Sequence, residues 1–279
     1  MNVQHASRLE VRRLREHDIA RLAAFLDKEP GYNLFLISNL EQYGLRNPYV
    51  RFWAAFASGQ IRAVLMMVER RGAFFAPYLE DVYPLVEIAE REHLSFTMGQ
   101  RELMDAVLAA STQRIERREE HSFCELRPVD LRPAALEPPL GITIRRATGA
   151  DVDRLAAFYV GTAGFEHLSE TEIRRLMVGR VHHLRTYLAD KDHRLVSAAS
   201  TSAESRLAAM IGGVWTAPDA RNRGYSTAVV ARLAQELLHE GRYVYLFYLE
   251  GNLAAARVYE KIGFRVIGKW SVIYFSQNR

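Results

Sequence analysis

An internal repeat constrains this chain more than any other feature. Residues 10–25 read EVRRLREHDIARLAAF and residues 143–158 read TIRRATGADVDRLAAF. The offset is 143 − 10 = 133 positions, close to half of the 279 residues. Identities pair Arg12 with Arg145, Arg13 with Arg146, Asp18 with Asp151, Arg21 with Arg154, and Leu22–Phe25 with Leu155–Phe158. Val11/Ile144 and Ile19/Val152 are conservative pairs. Each copy opens with a short β-like run and continues in a helical pattern. Asp18 or Asp151 falls at or near the helix start, where a negative charge suits the helix dipole. A chance match of two alanine-rich helices does not bring strand, turn and helix into line together. A repeat of this size implies duplication of a whole domain.

Between the copies lies RPVDLRPAALEPPLG, residues 127–141, with Pro128, Pro133, Pro138 and Pro139, four of the nine prolines. Proline removes backbone donors and blocks helix, so a linker is expected over 131–141. It would separate a domain at 1–130 from one at 142–279, with the boundary near residue 135. Both halves predict the same order: a strand, two helices, three strands in hairpin-like succession, then helix, strand, helix and a final β region. In the second half that region reads as two strands, 264–267 and 270–275. Arg70-Arg71-Gly72 reads as a hairpin turn. This pattern predicts an α/β fold with a mixed sheet and helices on both faces.

Composition serves mainly to exclude. An apolar share of 49% with 25% charged residues is an ordinary globular mix. No run approaches the roughly 18 apolar residues of a membrane span, and the N-terminus has no apolar core of a signal peptide. Cys124 is the one cysteine, which excludes an intrachain disulfide and fits a cytoplasmic setting. The thiol is expected to be buried and inert. Net charge is 37 − 33 = +4, scattered along the chain. That suits a small anionic ligand and gives no motif for nucleic acid. No Cys/His spacing suggests a metal, and His182-His183 reads as a polar helix end.

The chemistry concentrates in residues 207–264. A β run, AAMIGGVWT, ends at Thr216, and Pro218 breaks it. The segment Arg221-Asn222-Arg223-Gly224-Tyr225-Ser226-Thr227 then leads into a helix expected over 226–240, with Gly241 just beyond its end. Strand, basic glycine-containing loop and helix start together suit an anion site, while the loop alone reads equally as a polar turn with solvated arginines and a Ser or Thr N-cap. The first N–H groups of a helix have no internal acceptor. The dipole adds positive charge there, and a glycine admits a phosphate close to the backbone. Neither a P-loop nor a G-x-G-x-x-G motif is present. Next comes the strand Tyr243–Leu249, apolar throughout and so expected to be central. Glu250-Gly251-Asn252, the helix LAAARVYEKI and Gly263-Phe264 follow. Asn252 alone reads as an N-cap and Tyr259 alone as core.

Taken together these residues resemble the GNAT acyltransferases, the Gcn5-related N-acetyltransferases. That family's acyl-CoA loop follows [Q/R]-x-x-G-x-[G/A], met by Arg221, Gly224 and Ser226, the serine departing from the usual Gly or Ala. Its later pattern N-x-x-A-x-x-x-Y-x-x-x-G-F is met by Asn252, Ala255, Tyr259, Gly263 and Phe264. The resemblance covers about residues 142–275, most closely to bacterial two-domain members whose first half is a degenerate copy.

The resemblance implies a tandem acyl-CoA N-acyltransferase fold with acetyl-CoA as co-substrate and no metal. Backbone N–H groups of Arg223, Gly224, Tyr225, Ser226 and Thr227 would hold the pyrophosphate. The strand edge at Val214, Trp215 and Thr216 would pair with the pantetheine arm where two parallel strands splay. Asn252 would help fix that arm, and Tyr259 would donate a proton to the departing thiolate. The carboxylate that many members carry on the strand before the loop is missing. Glu250 is the best substitute as general base, with Glu166 and His167 further candidates. Without a base, weakly basic amines are the favoured acceptors. A small-molecule primary amine is therefore the expected acceptor, attacking directly in a ternary complex. A non-catalytic acyl-CoA-binding module and a protein N-terminal or lysine acetyltransferase stay open beside it. The first half, with the acidic helix start EDVYPLVEIAE and no Asn…Tyr…Gly-Phe series, is expected to have lost acyl-CoA binding.

Overall fold

Two short turns, one in each copy, carry the repeat down to single hydrogen bonds. In the computed structural model, which describes residues 9–162, 165–166 and 168–276, Arg12 grips Asp18 with both guanidinium nitrogens, at 2.8 and 2.7 Å. Arg145 grips Asp151 in the same way, at 2.8 and 2.7 Å. Each carboxylate also accepts a backbone N–H at 2.9 Å, from Arg15 in one copy and Thr148 in the other. Both aspartates are buried and stand at the N-cap position of the helix that follows, their carboxylates turned back to the preceding turn rather than bonded into the helix. The arginine drives each carboxyl well below the usual carboxylate range, against the opposing effect of burial. The repeated arginine thus neutralises the repeated aspartate at a buried helix start.

The chain divides into two compact units: residues up to Ser122 together with those from Gly268 onward, and Phe123–Ile267. In unit 1 the elements run β1 (Glu10–Arg13), α1 (Ile19–Leu26), α2 (Leu34–Tyr43), β2 (Val50–Ala57), β3 (Gln60–Val68), β4 (Arg71–Phe75), α3 (Tyr83–Arg91), β5 (Phe96–Gln100), α4 (Arg101–Ala110) and β6 (Ile115–Leu126). The second stretch runs β7 (Ile142–Arg146), α5 (Val152–Tyr159), α6 (Glu170–His183), β8 (Thr186–Lys191), β9 (Arg194–Glu204), β10 (Ala208–Thr216), α7 (Tyr225–His239), β11 (Tyr243–Leu249), α8 (Leu253–Ile262) and β12 (Arg265–Phe275). The hairpin turn after β3 is Glu69-Arg70, so Arg71 and Gly72 already belong to β4.

Strand order in unit 1 is β1-β2-β3-β4-β5-β12, antiparallel except for β4 with β5. In unit 2 it is β7-β8-β9-β10-β11-β6, with β10 and β11 parallel. Alternate residues of the strands feed opposite faces. Phe52, Ala54, Val64 and Met66 pack with α1 and α2, while Trp53, Ala55, Leu65 and Met67 pack with α3 and α4. Unit 2 repeats this: Leu188 and Ala198 join α5 and α6, while Ala189, Ala199, Ala209 and Ile211 join α7 and α8. The mixed sheet with helices on both faces follows directly from this period of two.

The units cut the chain at places that the proline count does not mark. The segment 131–141 lies inside unit 2, where the Arg132 N–H bonds the Ile262 carbonyl at the end of α8, at 2.9 Å. The last strands are also exchanged. Trp270–Tyr274 of β12 pair antiparallel with Phe96–Gln100 of β5 in unit 1, and β6 takes the edge beside β11. The final β region is one strand, Arg265–Phe275, rather than two. Gly268 gives no break, because it lies in extended backbone without a positive φ.

Candidate acyl-CoA site

Strand β10 is where the two sides of unit 2 part. Its parallel register with β11 runs from Ala208 opposite Tyr243 to Ile211 opposite Leu246 and ends there. On the other side, Gly212 pairs with Ser200 and Trp215 with Ala198, so Gly213 and Val214 stand opposite the single residue Ala199. This is a β-bulge, and Gly213 takes the left-handed conformation it needs, with φ +59°. Parting of the parallel pair and the bulge coincide over Gly212–Val214. Val214, Trp215 and Thr216 continue beyond it, all half-buried, with a strand edge no longer paired to β11.

A short turn at Pro218–Ala220 carries the chain to the loop. Asn222 (φ 60°) and Gly224 (φ 79°) are left-handed, and Gly224 stands directly before α7. A Cβ on Gly224 would meet only Pro139, at 3.5 Å, so backbone conformation rather than space demands the glycine. The first intrahelical bond is Ala228 N–H to the Gly224 carbonyl, at 3.1 Å. The N–H groups of Tyr225, Ser226 and Thr227 therefore have no acceptor within the helix. Of the residues expected to bind, Tyr225 has its side chain buried in the core. Arg221 folds back on the strand: its Nε donates to the Thr216 carbonyl at 3.3 Å and its guanidinium lies 4.8 Å from the Trp215 ring centre. Arg223 is exposed and, with Lys191, Arg194, Asp219 and Tyr225, lines a cavity of 240 Å³ beside the loop. Arg194 holds Asp219 in an ion pair there, and Lys191 and Arg223 outweigh the one remaining carboxylate, Asp192, so the lining keeps a single positive excess.

The second motif is explained residue by residue. Asn252 caps α8, its Oδ1 accepting the Ala255 N–H at 3.0 Å. Seven residues on, Tyr259 is 8% exposed, wedged between the rings of Tyr248 (5.5 Å) and Phe264 (5.9 Å, edge-on). Burial pushes its phenol well above the usual tyrosine value, with Cys124 and Tyr248 adding to the effect. The hydroxyl is therefore protonated at neutral pH. Gly263 ends the helix at φ 117°, and a Cβ there would stand 1.9 Å from the Asp130 carbonyl oxygen. No other residue fits so close an approach. Glu250 occupies the turn between β11 and α8, half-buried and engaged in interactions of its own. Glu166 is exposed, and His167 lies outside the described residues. Cys124 is buried, its thiol pushed up to about 12 by burial alone. Strand β11 is buried only over Val244–Leu246, its ends being more open than an all-apolar run suggests.

Two residues at the bulge escaped the sequence reading. Tyr159, at the end of α5, donates its hydroxyl to the Gly213 carbonyl at 2.5 Å. Burial pushes that phenol up to about 12, against the pull of Arg180. Arg180 reaches in from α6, its Nη1 standing 2.7 Å from where a Cβ on Gly213 would be. The signal was present: Arg180 lies seven residues after Ile173 and three after Met177, the two buried residues of α6, so helical spacing puts it on the inner face. The Gly212-Gly213 pair inside a strand pattern marks the bulge in the same way.

Among the described residues, no group of His, Cys, Asp and Glu could hold a metal ion, and no helix is long and apolar enough to cross a membrane. The FR47-like protein family model matches residues 191–273. No curated protein matches the chain. A tandem GNAT protein from the clavulanic acid biosynthesis pathway is similar in structure, with a TM-score of 0.63 at 15% identity over 97% of this chain and 99% of that one. A GCN5-related N-acetyltransferase from Sphaerobacter thermophilus gives 0.65 at 16% identity over 97% and 96%. A Drosophila protein gives 0.70 at 13% identity over 96% and 99%. The chain is a tandem GNAT-fold protein, two copies of one α/β fold, and the FR47-like match falls in the second copy.

Proposed function

We propose that unit 2 is an acyl-CoA-dependent N-acyltransferase, moving an acetyl or related acyl group to a primary amine by direct attack. The observation that carries this reading is the coincidence, on one strand–loop–helix, of the parted strands after Ile211, the left-handed Gly224 and the outward N–H groups of α7. These are what a thioester on a long pyrophosphate-bearing arm requires. Backbone N–H groups of Arg223–Thr227 hold the pyrophosphate, assisted by the helix dipole. Arg221, folded onto Trp215, braces the loop, and Arg223 supplies charge at its rim. The released edge at Val214–Thr216 offers the pantetheine amides a strand to pair with. Asn252 spends its carbonyl oxygen on the helix cap and faces the arm with its amide nitrogen.

The acyl thioester supplies an activated carbonyl and a sulfur leaving group. Tyr259 holds a proton ready for that sulfur, which general acid catalysis requires, and such catalysis typically contributes about 10²–10⁴-fold. Burial and the raised thiol of Cys124 argue against an acyl-cysteine route. No carboxylate stands on β10, so the amine must arrive largely neutral or be relieved of its proton through Glu250. The same gap favours a second reading, a module that binds acyl-CoA without turnover.

Steady-state release of free thiol from acetyl-CoA with a panel of amines tests the proposal. Turnover in wild type, lost by about 10²–10⁴-fold in kcat in Tyr259→Phe with acetyl-CoA affinity unchanged, is the expected result. Binding without turnover of any amine would select the non-catalytic reading. A pH–rate profile with an ascending limb abolished by Glu250→Gln would make Glu250 the base.

A further inference from the structure

Arg180 carries a charge that nothing in the described protein answers. The residue as a whole is half-buried, and one guanidinium nitrogen, Nη1, is shut off from solvent with no hydrogen-bond partner. No carboxylate lies within ion-pair distance of it among the described residues. Its neighbours are aromatic or backbone: the Phe165 ring at 5.3 Å, Tyr159, and the Gly213 bulge. Tyr159 does not relieve it, because burial keeps that phenol protonated and its hydroxyl already bonds the Gly213 carbonyl. The contrast with the chain's other inward arginines is sharp. Arg12, Arg145 and Arg185 each have one or more carboxylates within hydrogen-bond reach. A buried cation without a partner is costly to the fold, and truncating it to an apolar residue is often neutral or stabilising. A ligand oxyanion would supply the partner it lacks. The groups a guanidinium matches best are planar oxyanions, which accept two parallel N–H bonds.

The position narrows the ligand further. Nη1 touches the bulge where β10 leaves β11, one residue before the edge Val214–Thr216. On the reading of unit 2 as an acyltransferase, on which this inference rests, that is the acyl end of the site and far along the strand from the loop at Gly224. The loop already provides for the pyrophosphate, so Arg180 faces the transferred group or its acceptor. We infer that Arg180 is a specificity-determining residue that binds a carboxylate, so that this enzyme's substrate pair includes one: an amino acid as the acceptor amine, or a dicarboxylic acyl chain on the thioester.

Matched pairs distinguish the two sources. Rates are measured for amino acids against their amides with acetyl-CoA, and for succinyl-CoA against acetyl-CoA with neutral amines. Each is done in wild type, Arg180→Gln and Arg180→Lys. A carboxylate on the correct partner is expected to raise kcat/KM at least 100-fold in wild type. The preference should fall below 10-fold in Arg180→Gln and be partly rescued in Arg180→Lys. The affinity for acetyl-CoA should change less than threefold in either variant. Thermal shift supplies a readout independent of turnover. Arg180→Met is expected to melt at or above the wild-type temperature. N-acetylglycine in the first case should stabilise wild type but not Arg180→Met, and in the second case the extra stabilisation by succinyl-CoA over acetyl-CoA should be present in wild type and absent in Arg180→Met. Equal rates for both members of each pair, or a preference unchanged in Arg180→Gln, overturns the inference while leaving the acyltransferase reading in place. Failure of wild type to bind acetyl-CoA overturns that reading itself.

Discussion

The two copies share a fold to the level of single hydrogen bonds and differ most sharply at one helix start. In unit 2 the chain leaves β10 through Arg221 and Arg223 and enters α7 at a left-handed glycine, with free N–H groups in the first turn. In unit 1 the equivalent passage leaves β4 through Glu80 and Asp81 and enters α3 with Pro84 in the first turn. Asp81 is tied to Arg62 at 2.8 Å. Two carboxylates and a residue lacking an N–H stand where a phosphate would need donors and positive charge. The parallel pair of unit 1 also parts early, its register stopping at Gly72 opposite Thr97, so the scaffold for an arm is still there. Helix α4, RELMDAVLAA, has no tyrosine. The fold is held by the Arg–Asp turn and the two-faced core, whereas the proposed chemistry would depend on a handful of residues that can be lost without disturbing either.

The largest expected effect falls on cofactor binding. Gly224→Glu combines a strained left-handed backbone with a like charge at the pyrophosphate and should reduce acetyl-CoA affinity at least 100-fold by calorimetry. Glu80→Gln at the corresponding place in unit 1 should leave it unchanged. If the two variants behave alike, the division of labour between the copies is wrong.

Stability separates glycines that differ in space. Gly263→Ala forces a Cβ into the Asp130 carbonyl. It should cost about 3 kcal/mol in urea unfolding and lower the temperature of unfolding. Gly59 has φ +75° but nothing within 4 Å. Gly59→Ala should cost only the backbone preference, about 1 kcal/mol. Equal costs would show that conformation rather than the Asp130 contact fixes Gly263.

The repeated turn offers a paired test with the smallest effect. Asp18→Asn and Asp151→Asn each unbalance a buried arginine contact, and because both arginines are about one-third exposed the expected loss is about 1–3 kcal/mol. The sign with pH follows from the depressed carboxyls of the folded state. Their stabilisation is present above the unfolded carboxyl value, about 3.9, and fades as pH falls below it. Unfolding by urea between pH 2.5 and 6 should therefore show a weaker acid-side loss in each variant than in wild type, and a similar one in both.

Much of this molecule was legible in its sequence because the signals are local. Strand alternation, helical spacing, the αL glycines and the Asn252 cap each follow from residues within a turn or two of one another. The turn at Gly224 into α7 and the helix that carries Tyr259 were legible for the same reason. What escaped is set by distant partners. Period two shows which face a strand residue takes but not which strand lies beside it. The exchange of β6 and β12 therefore left no mark, and the proline-rich segment read as a linker although it packs against α8. Asp18 and Asp151 read as helix-start charges, and only the structure shows Arg12 and Arg145 closing on them. Arg180 is one of several arginines on α6, distinguished by its phase on the helix and by what it meets there.

On the proposed reading, one copy of the duplicated fold kept the acyl-CoA site and the other lost it. Calorimetric titration of the whole chain, freed of copurified coenzyme, with acetyl-CoA tests that most directly. A single binding event with a stoichiometry of one per chain, abolished by Gly224→Glu, is the expected result. Two sites per chain, or one that survives Gly224→Glu, would contradict it.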